Sequence, residues 1–242
     1  MFPVRDDNPT TTKPVLTVTL IAVNALIFLY QVSLGSREGQ LFVYQFGAIP
    51  AVVFGLKQLP ASVAAVPPPL SLFTSMFLHG GWMHLIGNMW YLWIFGDNIE
   101  HAMGRLRFLI FYILSGLAAS LCHGIANPGS TIPTIGASGA ISGVLGAYVL
   151  LYPRAQVLVL IPLGILTRLI HVPAMLALGL WFVLQLFSGT LSDSQGGGVA
   201  WWAHIGGFIA GMLLVGLFKR REIHFFNPPQ PRYRSLQDPQ ER

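Results

Sequence analysis

Residues Gly136 to Gly143 read GASGAISG and continue as Val144, Leu145, Gly146, Ala147 and Tyr148. The stretch is built almost wholly from small residues and opens an apolar run to Leu151. Upstream, Asn127-Pro128-Gly129 and Pro133 forbid regular structure, so the reading starts a helix near Ala137 or Ser138. Counted from Ser138 to Tyr152 it holds 15 residues, roughly 22 Å at ~1.5 Å each. A bilayer core is about 30 Å thick and asks for ~20 residues. The helix is short, so a loop must enter the membrane at one end. Non-helical backbone at that depth survives only when buried in protein or lining a wet cavity. Ser138 stands at that mouth, where unpaired N–H groups and the helix dipole favour negative charge. An oxyanion could be held there. Two plainer readings compete. Small-residue runs in membrane helices are mostly packing devices, and a Ser at a helix start is most often an N-cap. A nucleophile needs a base and oxyanion donors from elsewhere in the chain.

Composition decides the compartment. Of the 242 residues 53% are hydrophobic and only 10% charged, and the mean hydropathy is +0.61, which excludes a soluble domain. Apolar segments recur near 15–34, 85–95, 108–122, 137–152, 172–189 and 199–218. At ~20 residues per span they predict an all-α membrane protein, a six-transmembrane-helix bundle. The expected division is a cytoplasmic N-terminal segment 1–13, a membrane domain 14–220 and a disordered cytoplasmic tail 221–242. No cleavable signal peptide is evident in MFPVRDDNPTTTKP. The single Cys122 rules out an intrachain disulfide. The net charge of +5 raises the question of nucleic acid, but the basic residues lie mostly at helix ends and read as orientation signals.

Arg5 and Lys13 precede the first span, Arg105 and Arg107 follow the second, Arg154 follows the fourth, and Lys219-Arg220-Arg221 ends the sixth. This pattern puts both termini in the cytoplasm. The segment 35–81 is long for a bundle connection and reads as an interfacial, partly embedded first external loop. Residues 155–171 are apolar but broken by Pro162, Gly164 and Arg168, and read as an embedded cytoplasmic-side connection. Loop 188–198, with Asp193 its only charge, is expected outside. No internal repeat is visible, which weighs against transporters built from inverted halves.

Imidazoles and amides within spans are costly and default to functional sites. His204 lies near the outer end of the last span, at the depth expected for Ser138. Gly207 and Gly211 share its face as G-x-x-x-G, which permits close approach to the small face of Gly139, Gly143 and Gly146. A nucleophile needs a base within hydrogen-bond reach. His84 and Asn88, four apart, share a face of the second span, and with the Ser138 N–H could donate to an oxyanion. The rival is a zinc site from His79, His84, His123 and His204. It ranks lower, because H-E-x-x-H is absent and no carboxylate lies at that level of any span. The same lack of a carboxylate makes a serine hydrolase here a Ser–His dyad.

Three pieces together resemble the rhomboid intramembrane serine proteases. They are His79-x4-His84-x3-Asn88, Gly136-Ala137-Ser138-Gly139, and Ala203-His204-Ile205-Gly206-Gly207 with Gly211. The resemblance covers about 75–220. It implies Ser138 as nucleophile, His204 as general base, and His84, Asn88 and the Ser138 N–H as oxyanion hole, without cofactor or metal. It also implies cleavage of single-span or multi-span membrane proteins near the outer face of the bilayer, most simply a bacterial inner membrane. Two features depart from the family. The Trp-Arg pair common in its first external loop is missing, and Ser142 stands where some members carry an aromatic that stacks on the catalytic His. The alternatives are a non-proteolytic rhomboid-like factor that binds membrane proteins and a small transporter. The intact Ser138 and His204 oppose the first, and the absent acidic residues and repeat oppose the second.

Overall fold

The computed structural model describes residues 2–163, 166–191 and 199–228. In chain order it runs β1 (Phe2–Asp6), α1 (Val15–Ser33), α2 (Gly35–Phe46), α3 (Pro50–Val53), α4 (Pro68–Thr74) and a 3-10 turn (Ser75–Phe77). There follow α5 (Trp82–Met103), α6 (Arg105–Ala126), α7 (Ser138–Leu151), β2 (Gln156–Leu163), β3 (Leu166–Pro173), α8 (Ala174–Leu191) and α9 (Trp201–Phe218). Four of these helices, α1, α6, α8 and α9, are long and apolar enough to cross a membrane. Large apolar side chains on them stay bare, Leu213 and Leu217 of α9 at 75% and 78% exposure. An apolar surface of that kind needs lipid around it, and this is an integral membrane protein.

The short helix is the centre. Every residue of α7 from Gly139 to Tyr148 is buried, as a helix of small and apolar residues with no charged group allows. At 14 residues it is roughly 21 Å long. Helices α5, α6 and α9 surround it, and Phe95, Phe108, Phe111 and Tyr112 fill the core between them at 0% exposure.

The expectation of an all-α chain is corrected: the fold is mostly helical, with a three-stranded antiparallel sheet in the order β1-β2-β3. Residues 155–171, expected as an embedded cytoplasmic-side connection before the next span, form most of the hairpin β2–β3, from Gln156 opposite Pro173 to Leu163 opposite Leu166. The N-terminal segment supplies the third strand, Phe2 opposite Leu160 and Asp6 opposite Val157. Val157 and Val159, at 0% and 1% exposure, carry one face of β2 into the core. Residues 221–228, expected as the start of a disordered tail, instead dock. Phe226 and Asn227 donate their backbone N–H groups to Leu150 and Leu151, each at 2.9 Å, and so satisfy carbonyls at the end of α7. The rest of the tail, 229–242, lies outside the described residues, as does most of the loop expected outside, 192–198 with Asp193.

The acidic residues of α5 are structural at this end. Glu100, 2% exposed, accepts from Leu16 N at 3.0 Å, Thr17 N at 2.8 Å and Thr17 Oγ1 at 2.9 Å. It caps α1, whose own N-cap Pro14 offers no side-chain bond. Asp6 accepts from the Tyr148 hydroxyl of α7 and from Asn98 Nδ2 at 3.0 Å. Burial pushes the Asp6 carboxyl up from 3.8 to about 7, although the Tyr148 hydrogen bond lowers it. Between those two values the folded protein holds a proton that the unfolded chain has lost. Folding stability therefore falls as pH rises from about 4 to about 7, and levels off above. Asp6→Asn should abolish this dependence. The check is thermal unfolding in detergent across that range: the wild type should lose stability relative to Asp6→Asn with rising pH, and a constant difference would contradict the assignment.

Candidate active site

Ser138 is the first residue of α7, and the cap position Ala137 makes no side-chain bond. The leading N–H groups of the helix therefore have no helical acceptor and face outward. The chain reaches this point through Gly136 at φ +125°, a left-handed value that glycine alone takes at little cost. A Cβ at Gly136 would also lie 2.7 Å from His84 Nε2. The residues before it are braced by the long first connection. Thr134 and Ala48 exchange backbone hydrogen bonds at 2.8 and 3.1 Å, Ser130 O accepts from Ala51 N at 2.9 Å, and Ser75 O accepts from Gly136 N at 2.9 Å.

His204 Nε2 lies 2.9 Å from Ser138 Oγ, so the two side chains meet at hydrogen-bond distance. The cause is the contact between α7 and α9. A Cβ on Gly207 would sit 2.0 Å from Gly139 O, and one on Gly211 would sit 2.0 Å from Gly143 O. Small residues on both helices let the backbones touch. Gly143 is hemmed on its other side, where a Cβ would lie 2.4 Å from Ser115 Cβ.

The other face of His204 belongs to α8. Gln185 Oε1 is 2.7 Å from His204 Nδ1, and the Trp181 ring lies 5.9 Å from the imidazole at 34°. Ser142, one turn after Ser138, turns its hydroxyl to Ser138 O at 2.7 Å and makes no bond to the ring. Spacing along the chain singles out neither Trp181 nor Gln185. The signal that the sequence does carry is a lone amide inside an otherwise apolar span.

His84 and Asn88 stand across the cavity on α5. Gly80 N donates to His84 Nδ1 at 3.2 Å, so the ring proton sits on Nε2, the atom nearest Gly136. That N–H is a donor aimed at the mouth of α7. Asn88, 8% exposed, donates to His84 O at 2.9 Å and keeps its remaining amide capacity for the cavity. His79 lies behind, fully buried, its ring 5.1 Å from that of His84. A cavity of about 880 Å³ joins Ser138, His204, His84, Asn88, His123 and Trp181. Its size is that of a site able to enclose a sizeable ligand. Among the described residues no group of three or more His, Cys, Asp or Glu comes together as a metal site.

A hydroxyl on a helix N-terminus with an imidazole at 2.9 Å and facing donors is a hydrolase-like constellation inside a membrane bundle. Residues 69–221 match the Rhomboid domain family, well over half of the chain, and this protein belongs to the rhomboid family. It is 33% identical over 202 residues to the rhomboid protease GluP of Bacillus subtilis, covering 82% of this chain and 34% of that one. It is 31% identical over 221 residues to the rhomboid protease AarA of Providencia stuartii, covering 82% and 70%. It is 30% identical over 191 residues to the mitochondrial rhomboid protein 1 of Saccharomyces cerevisiae, covering 71% and 51%. The match thus spans about a third of the first relative's length and half of the third's.

The helix contact sets a prediction. Gly207→Val or Gly211→Val forces α9 away from α7, and a displacement of ~1 Å can cost around 10² in rate. Both variants should lose thermal stability and the Ser138–His204 approach together, with Ala milder than Val. Unchanged melting and unchanged reactivity of Ser138 toward a serine-directed fluorophosphonate would refute the contact.

Proposed function

We propose that the protein is an intramembrane serine endopeptidase that cleaves membrane-protein substrates near the outer face of the bilayer. The observation that carries this reading is the 2.9 Å approach of His204 Nε2 to Ser138 Oγ in a cavity that His84 and Asn88 also line. Ser138 Oγ attacks the scissile carbonyl carbon while His204 Nε2 takes its proton. The C–N bond then breaks, His204 returns the proton to the leaving amine, and an acyl ester remains on Ser138. A water molecule, deprotonated by His204, attacks that ester and releases the new carboxylic acid. The negative oxygen formed in each half is held by the Ser138 N–H, His84 Nε2–H and Asn88 Nδ2–H. A substrate helix must unwind locally to present its carbonyl, which favours helix-breaking or small residues near the cut.

The same reading takes α1, α5, α6, α7, α8 and α9 as six spans, with residues 35–81 as a partly embedded external loop. The domain occupies 14–220, with 1–13 and 221–242 on the cytoplasmic side. Helix α5 is long but carries His84, Asn88, Asp97 and Glu100, and α7 is short. Helix α7 is wrapped in protein, and Asn88 and Glu100 of α5 are buried at 8% and 2% exposure, where these features are tolerated.

In proteoliposomes with single-span substrates, Ser138→Ala and His204→Ala should each abolish cleavage, and the double variant should be no worse than either. Near-normal cleavage by either single variant would sink the dyad.

His84→Ala and Asn88→Ala should lower kcat far more than they raise KM, by about 10²–10³ for a donor acting alone and less where the neighbouring donor compensates. If both variants instead bind substrate more weakly with kcat intact, these residues belong to substrate binding and not to the oxyanion hole.

A further inference from the structure

We propose that Gln185 is a positioning residue of the site: its side-chain carbonyl holds His204 in the tautomer that can accept the Ser138 proton. This inference rests on the hydrolase reading above and adds a third participant to it.

The placement is unusual for its surroundings. Helix α8 is apolar over its length, and its buried residues are Ala174, Leu178, Gln185 and Gly189. Gln185 is 7% exposed. A buried amide without a partner is costly, so a Gln in this position needs a reason. Its Oε1 lies 2.7 Å from His204 Nδ1.

The chemistry of the pair is directional. A neutral imidazole has one N–H and one lone pair, and an amide oxygen only accepts. With Oε1 on Nδ1, the ring proton must sit on Nδ1 and the lone pair on Nε2, which faces Ser138 Oγ at 2.9 Å. The opposite tautomer would point an N–H at the hydroxyl and leave no base for its proton. One turn earlier on the same helix face, Trp181 lies against the ring. Together they fix the plane and the proton of the imidazole. Ser142 cannot substitute, because its hydroxyl is turned to Ser138 O, and among the described residues no carboxylate bonds to His204. The imidazoles that share the cavity, His84 on α5 and His123 on α6, supply no acceptor to Nδ1.

The test separates positioning from packing. Gln185→Met keeps the length and removes the acceptor, and Gln185→Glu keeps an oxygen at the same atom. The readouts are kcat and KM on a single-span substrate and the rate of Ser138 labelling by a fluorophosphonate. Gln185→Met should lose about 10–10² in both kcat and labelling, part of what a positioned base supplies, with KM and melting temperature near the wild type. Gln185→Glu should recover most of that loss. Should Gln185→Met fail to fold, Gln185→Asn, which keeps the amide but falls short of the ring, is read in its place. Wild-type rates in Gln185→Met, or an equal loss in Gln185→Met and Gln185→Glu, overturn the positioning role while the hydrolase reading stands. An inert wild type overturns both.

Discussion

The structure hangs on a backbone-to-backbone contact. Where α9 crosses α7, the space for a Cβ at Gly207 and Gly211 is already occupied by the carbonyls of Gly139 and Gly143, 2.0 Å from where that carbon would be. In lipid there is no hydrophobic gain from bringing two apolar helices together, so close packing of this kind must supply the attraction. It also sets the geometry of the site. Gly139 follows Ser138 and Gly207 lies one turn after His204, so the two side chains that meet at 2.9 Å project from the edge of the same contact. Their separation is a property of the helix crossing more than of either side chain.

Helix α7 is held at both ends as well as at its middle. At its start, Gly136 and the 130–136 strap are tied to Ala48, Ala51 and Ser75 of the first connection. Near its far end, Tyr148 donates to Asp6, and Asn98 joins the same carboxylate. Residues Leu150 and Leu151 then receive the N–H groups of Phe226 and Asn227. A 14-residue helix too short for a bilayer core thus meets protein partners at each terminus instead of hydrocarbon. The two polar layers differ in what they leave unpaired. The layer at Ser138 leaves donors facing a cavity, whereas Glu100 at the other level is satisfied by three donors from α1.

Much of this could be read from residue order. The short helix beginning at Ser138, the glycine spacing on α9 and the pairing of His84 with Asn88 are local patterns of period three to four, which a sequence displays directly. The hairpin could not be read the same way. QVLVLIPL and LTRLIHVP are short apolar runs in which strand and helix look alike, and the partner strand FPVRD comes from about 150 residues away. The acidic residues of α5 were legible as lying at the other end of the span from Ser138, but the bonds of Glu100 to α1 and of Asn98 to Asp6 of β1 depend on tertiary packing. Gln185 escaped for a further reason. It forms no motif with Ser138 or His204, and only the crossing of α8 over α9 gives it a partner.

That last point bears on how the site is divided among helices. Ser138 and His204 belong to α7 and α9, which are locked by glycine contact, but the groups on the far side of the imidazole belong to α8. Of the four long apolar helices, α8 is the least buried, with Leu176, Leu184 and Phe187 at 64%, 53% and 64% exposure. Near the site its Trp181 and Phe182 rings lie against His204 and Phe208, and Gln185 bonds to His204. Distance and orientation of the Ser138–His204 pair are therefore set by different parts of the structure. The crossing of α7 and α9 sets how near the nitrogen comes to the hydroxyl. The seating of α8 places Trp181 and Gln185 against the imidazole, and in the proposed mechanism it is this second contact that assigns the ring proton to Nδ1.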